Sequence, residues 1–310
     1  MNVVLIGEES AGIKTLRLLS EMKHNVVSVL STPPTGSNDA SVWKVARQMG
    51  YDVLPASAVR DPALATELLA VRVDMILNVH SLFVVRKEIL DIPRVGSFNL
   101  HPGMLPYYAG LNAPSWALHN GESMHGVTVH WMEPGIDTGA IAFQKEIAIG
   151  KTDTGLSLSL KCAKEGIALL RRLLKAGNQN TIPCVPQDLS KRKYYGKEIP
   201  NDGVIRWDQP AATVVNFVRS FDYYPFASPW GSPRETFDGS SMFIHKVLPT
   251  EIRCDDSPGM IRKQDGMIFV ATNDYWVHIS HFLIDGRSVV ASNIVGGNDS
   301  FRIVPSNSSN

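Results

Sequence analysis

The side chains best able to act together chemically are an amide, an imidazole and a carboxylate: Asn99, His101 and Asp137. Asn99 and His101 stand two apart at the end of the run Gly96–Leu100, and a strand points alternate side chains to one side. His101-Pro102-Gly103 then turns the chain out of a sheet, because proline cannot continue the ladder and glycine tolerates unusual dihedrals. Asp137 follows a second strand-like run, Gly126–Met132, in the tight segment Glu133-Pro-Gly-Ile-Asp137-Thr-Gly139. Such a trio suits acyl transfer to an amine. The Asn99 amide can donate a hydrogen bond to the oxyanion that develops. Neutral His101, with an ordinary value of ~6.5, can take the proton that the attacking amine loses. Asp137 can orient that ring and stabilise its protonated form. A neutral amine is already a good nucleophile, so no covalent enzyme intermediate is required.

These residues need a scaffold that brings strand ends together, and the first half of the chain has that pattern. Strands are expected at Asn2–Ile6, Asn25–Leu30, Val53–Leu54, Asp74–Val79 and Gly96–Leu100. Helical stretches at Ile13–Met22, Val42–Met49, Pro62–Val71 and Lys87–Leu90 separate them. Strand, crossover helix, strand, repeated, predicts an α/β domain with a mostly parallel sheet wrapped by helices. In such sheets ligands bind beyond the carboxyl ends of the strands. Farther on, a helix at Ala113–Asn120, strands at Gly126–Met132 and Ala140–Ile149 and a long helix at Gly155–Ala176 complete the domain. The segment Ile182–Pro200, with three prolines and the basic run Lys191-Arg192-Lys193, reads as a linker. A helix at Ala211–Phe221 and short strands at Ser241–Val247, Gly259–Arg262, Met267–Thr272 and Trp276–Phe282 predict a small barrel. The division is residues 1–185 for the catalytic domain, 186–204 for the linker, 205–305 for the barrel and 306–310 for a frayed tail.

Other signals carry less. Residues 7–15, GEESAGIKT, resemble a phosphate loop, yet Ile13 stands where the motif needs lysine, and GxGxxG is absent from the turn. His278 and His281 are three apart on a strand and so face opposite ways, no HExxH occurs, and no metal site is expected. Cys162, Cys184 and Cys254 form no CxxC and are expected to be buried, inert thiols in a reducing compartment. The start has no signal peptide and no apolar stretch long enough to span a membrane, so a soluble cytoplasmic protein is expected. Lys and Arg number 30 and so do Asp and Glu, a balance that argues against broad binding to nucleic acid.

In order and spacing, Asn99-Leu-His101-Pro, Leu105-Pro106, Asn120-Gly-Glu122, Gly126-Val-Thr-Val-His130 and Ile136-Asp137-Thr-Gly139 resemble the core of 10-formyltetrahydrofolate-dependent formyltransferases. The resemblance implies a Rossmann-like sheet, with Asn99, His101 and Asp137 as the catalytic trio. It also implies that 10-formyltetrahydrofolate is the co-substrate, its pterin held largely by main-chain groups. By position, Ser81, Leu82, Phe83, Val84 and Val85, with Pro134, Gly135 and Ile136, would line that pocket. The tract Pro258-Gly-Met-Ile261 followed by Asp265-Gly-Met-Ile-Phe-Val-Ala-Thr272 is similar to the family's carboxy-terminal OB-like barrel, which would seat the acceptor or form a dimer.

Members of the family formylate methionyl-tRNA, amino sugars on nucleotides, or amines in siderophore and peptide synthesis. The tRNA enzymes read Leu-Pro-x-x-Arg-Gly, whereas this chain reads Leu105-Pro-Tyr-Tyr-Ala109-Gly110. That departure and the neutral charge favour a small or carrier-bound primary amine, of amino-sugar nucleotide or amino-acid type, over tRNA. Two further readings stay open: a folate-sensing module that transfers nothing, and hydrolysis of the formyl donor.

Overall fold

The computed structural model describes residues 1–35, 41–237 and 240–293, which form two compact units. The first comprises Met1–Ala113, Met124–Ala148 and Ser159–Tyr195; the second comprises Pro114–Ser123, Ile149–Leu158 and the chain from Gly196 onward. The chain therefore passes between units more than once, where a single linker was expected. The end of the loop expected at Ser31–Asn38 and the tail at 306–310 lie outside the described residues.

In the first unit, strands β1 (Asn2–Gly7), β2 (Asn25–Ser31), β3 (Val53–Pro55), β4 (Met75–Val79) and β5 (Gly96–His101) are parallel. The two-residue β6 (Ala109–Gly110) stands apart, and β7 (Met124–Trp131) and β8 (Ile141–Ala148) complete a sheet of order β3-β2-β1-β4-β5-β7-β8. Helices α1 (Glu9–Glu21), α2 (Val42–Gln48), α3 (Pro62–Ala70) and α4 (Lys87–Leu90) are the crossovers. This is the expected mostly parallel, Rossmann-like arrangement. Its order reverses between β1 and β4, and the carboxyl ends there are the natural ligand crevice. Helix α1 begins four residues before its expected start, so Glu9 places an acidic group in its first turn, where the dipole favours one.

The strands are built from residues that disappear into two apolar layers. On one side of the sheet, Val4, Ile6, Leu30 and Ile76 pack with Leu64, Leu68, Val85 and Ile89. Helix α5 (Ala113–His119) precedes β7, and the long α6 (Gly155–Gln179) follows β8. Gly166 of α6 lies so close to Leu100 that a Cβ there would sit 2.9 Å from it. The helix therefore presses against β5 on the face opposite Asn99 and His101.

The segment 182–195, expected to be a linker, is hydrogen-bonded to the first unit along its length. Val185 exchanges two backbone bonds with Ile141, and β9 (Tyr194–Tyr195) pairs in parallel with β6. Its prolines exclude a regular helix or strand, and its remaining amides and carbonyls find partners in neighbouring loops. Cys184 in this segment is exposed, not buried as expected, whereas Cys162 is buried and its thiol is pushed up to about 12 by desolvation.

The second unit carries α7 (Ala211–Phe221) and strands β10 (Arg234–Phe237), β11 (Ser240–Arg253), β12 (Ile261–Gln264), β13 (Met267–Ala271), β14 (Tyr275–Ile284) and β15 (Arg287–Val290). They form an antiparallel sheet of order β10-β11-β14-β13-β12, with β15 on β14. Strand β11 is twice the expected length, and its register with β14 shifts at three places, so its alternation is interrupted and the sequence pattern breaks after Val247. The core is Phe217, Phe221, Trp230, Ile244, Val270, Val277, Ile279 and Phe282 with their neighbours. Among the described residues no helix is long and apolar enough to cross a membrane.

Thr128 ties the turn after β5 to β7. Its buried hydroxyl donates to the Gly103 carbonyl at 2.7 Å and accepts from Leu105 N at 3.3 Å and Gln144 Nε2 at 2.8 Å. Thr128→Val keeps the shape and strands those groups, so urea unfolding should show a loss of ~1–3 kcal/mol. Unchanged stability would mean that this hydroxyl does not hold the turn.

Candidate active site

Antiparallel pairing of β7 with β5 sets His130 opposite Asn99 and Thr128 opposite His101. Asp137 returns to the same place from the loop after β7, so the three expected residues converge. Asn99 Nδ2 is 3.3 Å from Asp137 Oδ1, and His101 Nδ1 is 3.5 Å from Asp137 Oδ2. Asp137 and His101 are both buried.

The hydrogen-bond partners decide the tautomers. His101 Nε2 donates to the Tyr108 carbonyl at 2.6 Å, so the neutral ring keeps its lone pair on Nδ1, facing Asp137. Gly103 makes this close approach possible, since a Cβ there would stand 2.5 Å from both His101 Nε2 and the Tyr108 oxygen. His130 Nδ1 donates to the Trp131 carbonyl at 2.8 Å, which leaves its Nε2 to accept from Asn99 Nδ2 at 3.1 Å. The Asn99 amide thus bridges His130 and Asp137. Both rings turn a lone pair toward the carboxylate, and a proton arriving at His101 Nδ1 is placed directly against it.

The electrostatics follow. Burial lowers His101 below the ordinary imidazole value, opposed in part by Asp137 and the Tyr108 carbonyl, so the ring is neutral at pH 7. Burial works to raise the Asp137 carboxyl, but the attraction of His101 and His130 once those rings carry a proton, together with the Gly110 N–H, outweighs that effect and holds it far below the usual carboxylate range. The Gly110 N–H donates to Asp137 Oδ2 at 2.8 Å. His130, Tyr108 and Gly110 stand in motifs quoted from the sequence but had no role assigned there, and Gln187, which also bonds the Asp137 loop, was not singled out. His130 could have been found as the residue that an antiparallel neighbour of Gly96–Leu100 sets opposite Asn99; the others act through backbone groups or from a distant segment.

The remaining expected residues fall in two places. In 81–85, Leu82 and Val84 are exposed, while Phe83 turns toward the apolar layer and Val85 is buried in it. Asn78 Nδ2 donates to the Ser81 carbonyl at 3.4 Å, and its Oδ1 is buried without a partner beside Asn99 across the β4–β5 pairing. Pro134, Gly135 and Ile136 form an exposed loop leading directly into Asp137. An exposed apolar rim with an unanswered buried acceptor behind it is chemically suited to a flat ring that carries amide and amino groups.

Comparison with known proteins shows the family of the chain. Residues 1–174 match the family model described as formyl transferase, and residues 198–298 match formyl transferase, C-terminal domain. Among solved structures, an N-formyltransferase from Helicobacter canadensis in complex with folinic acid and dTDP-3-aminofucose is 19% identical, with 90% of this chain and 98% of that chain covered and a TM-score of 0.71. WlaRD, a sugar 3N-formyl transferase in the presence of dTDP and 5-N-formyl-THF, is 18% identical over 91% of this chain and 98% of that one, with a TM-score of 0.72. HypX from Aquifex aeolicus in complex with tetrahydrofolic acid is 19% identical over 96% of this chain and 47% of that one, with a TM-score of 0.65.

His125, also on β7, supports the turn after His101 by donating from Nε2 to the Pro102 carbonyl at 3.0 Å, and burial pushes its value down to about 4. The unfolded chain takes that proton near ~6.5, so the folded state loses stability as pH falls from there toward 4, by roughly 3 kcal/mol. Thermal unfolding followed from pH 7 to 4 should show this loss in the wild type and a shallower dependence in His125→Gln. An equal slope in the two proteins would refute it.

Proposed function

Because this chain belongs to the formyl transferase family, we propose that it moves the formyl group of 10-formyltetrahydrofolate to the primary amine of a small or carrier-bound acceptor, of amino-sugar nucleotide or amino-acid type. The observation that carries the reading is the convergence of Asn99, His101 and Asp137, with the His101 lone pair turned toward a buried carboxylate. The co-substrate supplies an activated one-carbon acyl group. The exposed Leu82, Val84 and Ile136, and the unpartnered Asn78 Oδ1, are the groups that would hold it.

Each residue then has a distinct task. Asn99 releases its longer bond, the one to Asp137, and turns that N–H to the acyl oxygen, where negative charge develops. The amide pivots about its bond to His130 as it does so. His101 receives the amine proton at Nδ1, since Nε2 is already committed to Tyr108, and gives it up to the donor's nitrogen as the bond from the formyl carbon to that nitrogen breaks and tetrahydrofolate leaves. Asp137 meets the resulting imidazolium with full charge, because its carboxyl is held far below the usual carboxylate range. Burial keeps the ring neutral until that moment, which is the state a general base needs.

The acceptor preference is supported by the sugar N-formyl transferases among the similar structures, by Ala109 and by the absence of net charge. It is tested by offering 10-formyltetrahydrofolate with dTDP-linked amino sugars, amino-acid amines and charged initiator tRNA in parallel. Formylation of a small amine is expected, and formylation of the tRNA alone would overturn the preference. Donor breakdown without any formylated product would identify a hydrolase, and donor binding without breakdown a sensor. With an accepted amine, Asn99→Ala, His101→Ala and Asp137→Ala should each lower turnover by ~10²-fold or more. Folinic acid binding, measured by calorimetry, should persist in all three, and near-wild-type turnover in them would sink the assignment.

A further inference from the structure

Asp137 holds a φ of 55°, a left-handed conformation that a non-glycine residue keeps only when its surroundings enforce it. The enforcing contacts come from the segment after α6. Gln187 Nε2 donates one hydrogen to the Asp137 carbonyl at 2.9 Å and the other to the Gly139 carbonyl at 2.6 Å. Arg192 Nη2 donates to the Ile136 carbonyl at 3.0 Å. The same segment grips the other side of the site. Lys193 N bonds the Pro106 carbonyl, Ala109 N bonds the Lys193 carbonyl, and Leu111 N bonds the Tyr195 carbonyl. Those loops carry the Tyr108 carbonyl that holds His101 and the Gly110 N–H that holds Asp137.

Gln187 is not in place as filler. Its Oε1 is buried with no partner, a cost that a methionine of similar length would not incur. What the side chain contributes is a planar fork of two donors. Two carbonyls bound to one amide nitrogen cannot rotate independently, and they belong to the Asp137–Thr138 and Gly139–Ala140 peptide planes. The first of these planes, with the Ile136 carbonyl held by Arg192, flanks the Asp137 Cα and so fixes the direction in which its side chain leaves the backbone; the second anchors the end of the turn.

Resting on the function proposed above, we infer that Gln187 is a positioning residue, which sets the Asp137 carboxylate against His101 Nδ1 by bridging the carbonyls of Asp137 and Gly139. The charged and titratable groups around His101 are Asp137 from the loop after β7, His125 and His130 from β7 and His80 after β4. Asp137 is the one that favours the imidazolium; burial and the other rings disfavour it. Loosening Asp137 therefore lowers the proton affinity of His101.

Gln187→Met preserves bulk and removes both donors. With an accepted amine, kcat should fall about tenfold to hundredfold, as for misplacement of a reacting group by an ångström. KM for the donor should stay close to wild type. The acid limb of the kcat/KM profile should move to lower pH, because His101 must now be protonated without its carboxylate. A side chain that only stabilises the fold would lower the unfolding temperature and leave that limb where it was. The His101 ring carbon, followed by NMR across pH without substrate, should show the same downward displacement of its midpoint. Unchanged kcat with unchanged limb and midpoint would overturn the inference. If the wild type formylates no amine while the midpoint still moves in Gln187→Met, the functional reading fails and the positioning role stands. Should Gln187→Met not fold, Arg192→Ala loosens the same loop at Ile136, and the midpoint must move in the same direction or the inference is wrong.

Discussion

A carboxylate taken out of water has to be met by charge or hydrogen bonds, and most of the first unit can be understood as meeting Asp137. Its two oxygens face His101 and His130, the Asn99 amide and the Gly110 N–H. Each of these groups is in turn held by a backbone carbonyl or by a neighbour in the sheet. Leaving out either donor, the Asn99 amide or the Gly110 N–H, would under-satisfy a buried charge, which is among the costlier changes a protein can undergo. The arrangement is therefore cooperative: the two imidazoles keep their lone pairs inward because carbonyls of Tyr108 and Trp131 take their other protons. In the reaction proposed, the site is prepared for one event, arrival of a proton beside a carboxylate already ionised.

The sheet supplies the geometry for this through its change of direction. Five parallel strands end in a row, as in other doubly wound sheets, but the next strand, β7, runs antiparallel. That reversal puts side chains of β7 level with the carboxyl end of β5. A further parallel strand would have faced β5 with residues carried by a crossover helix, and the Asp137 loop would have emerged elsewhere. The formyl transferase reading depends on this local inversion as much as on the residues themselves.

The segment 182–195 shows how a stretch without regular structure can be essential to a site built on strands. It contributes no side chain to the cluster of Asn99, His101 and Asp137 itself. Its backbone and the fork of Gln187 instead join the loop after β5 to the loop after β7, the two places where the chain leaves the sheet. Loops that carry function gain precision only when something rigid spans them. The second unit achieves its order differently, by packing α7 and Trp230 on an antiparallel sheet.

Much of this was legible in the residues. Alternation of short apolar runs with amphipathic stretches dictates a parallel α/β sheet, because only that layering buries both patterns, and Asn99, His101 and Asp137 stand where strands end. Helix starts and strand lengths were less legible: α1 begins before its apolar face does, and β11 continues past a break in alternation that a register shift absorbs. The partners of the trio were not legible, since the Tyr108 carbonyl and the Gly110 N–H are backbone groups that every residue possesses. Gln187 lies fifty residues from Asp137 in sequence, and its amide looks like any polar side chain in a proline-rich stretch. Residue types and their local periods are set by the chain itself, so the sequence by itself determined the fold class and the chemical groups. Which tautomer each imidazole adopts, which oxygen it faces and what holds the carboxylate in a left-handed turn depend on pairings between distant segments, and those only the tertiary structure decided.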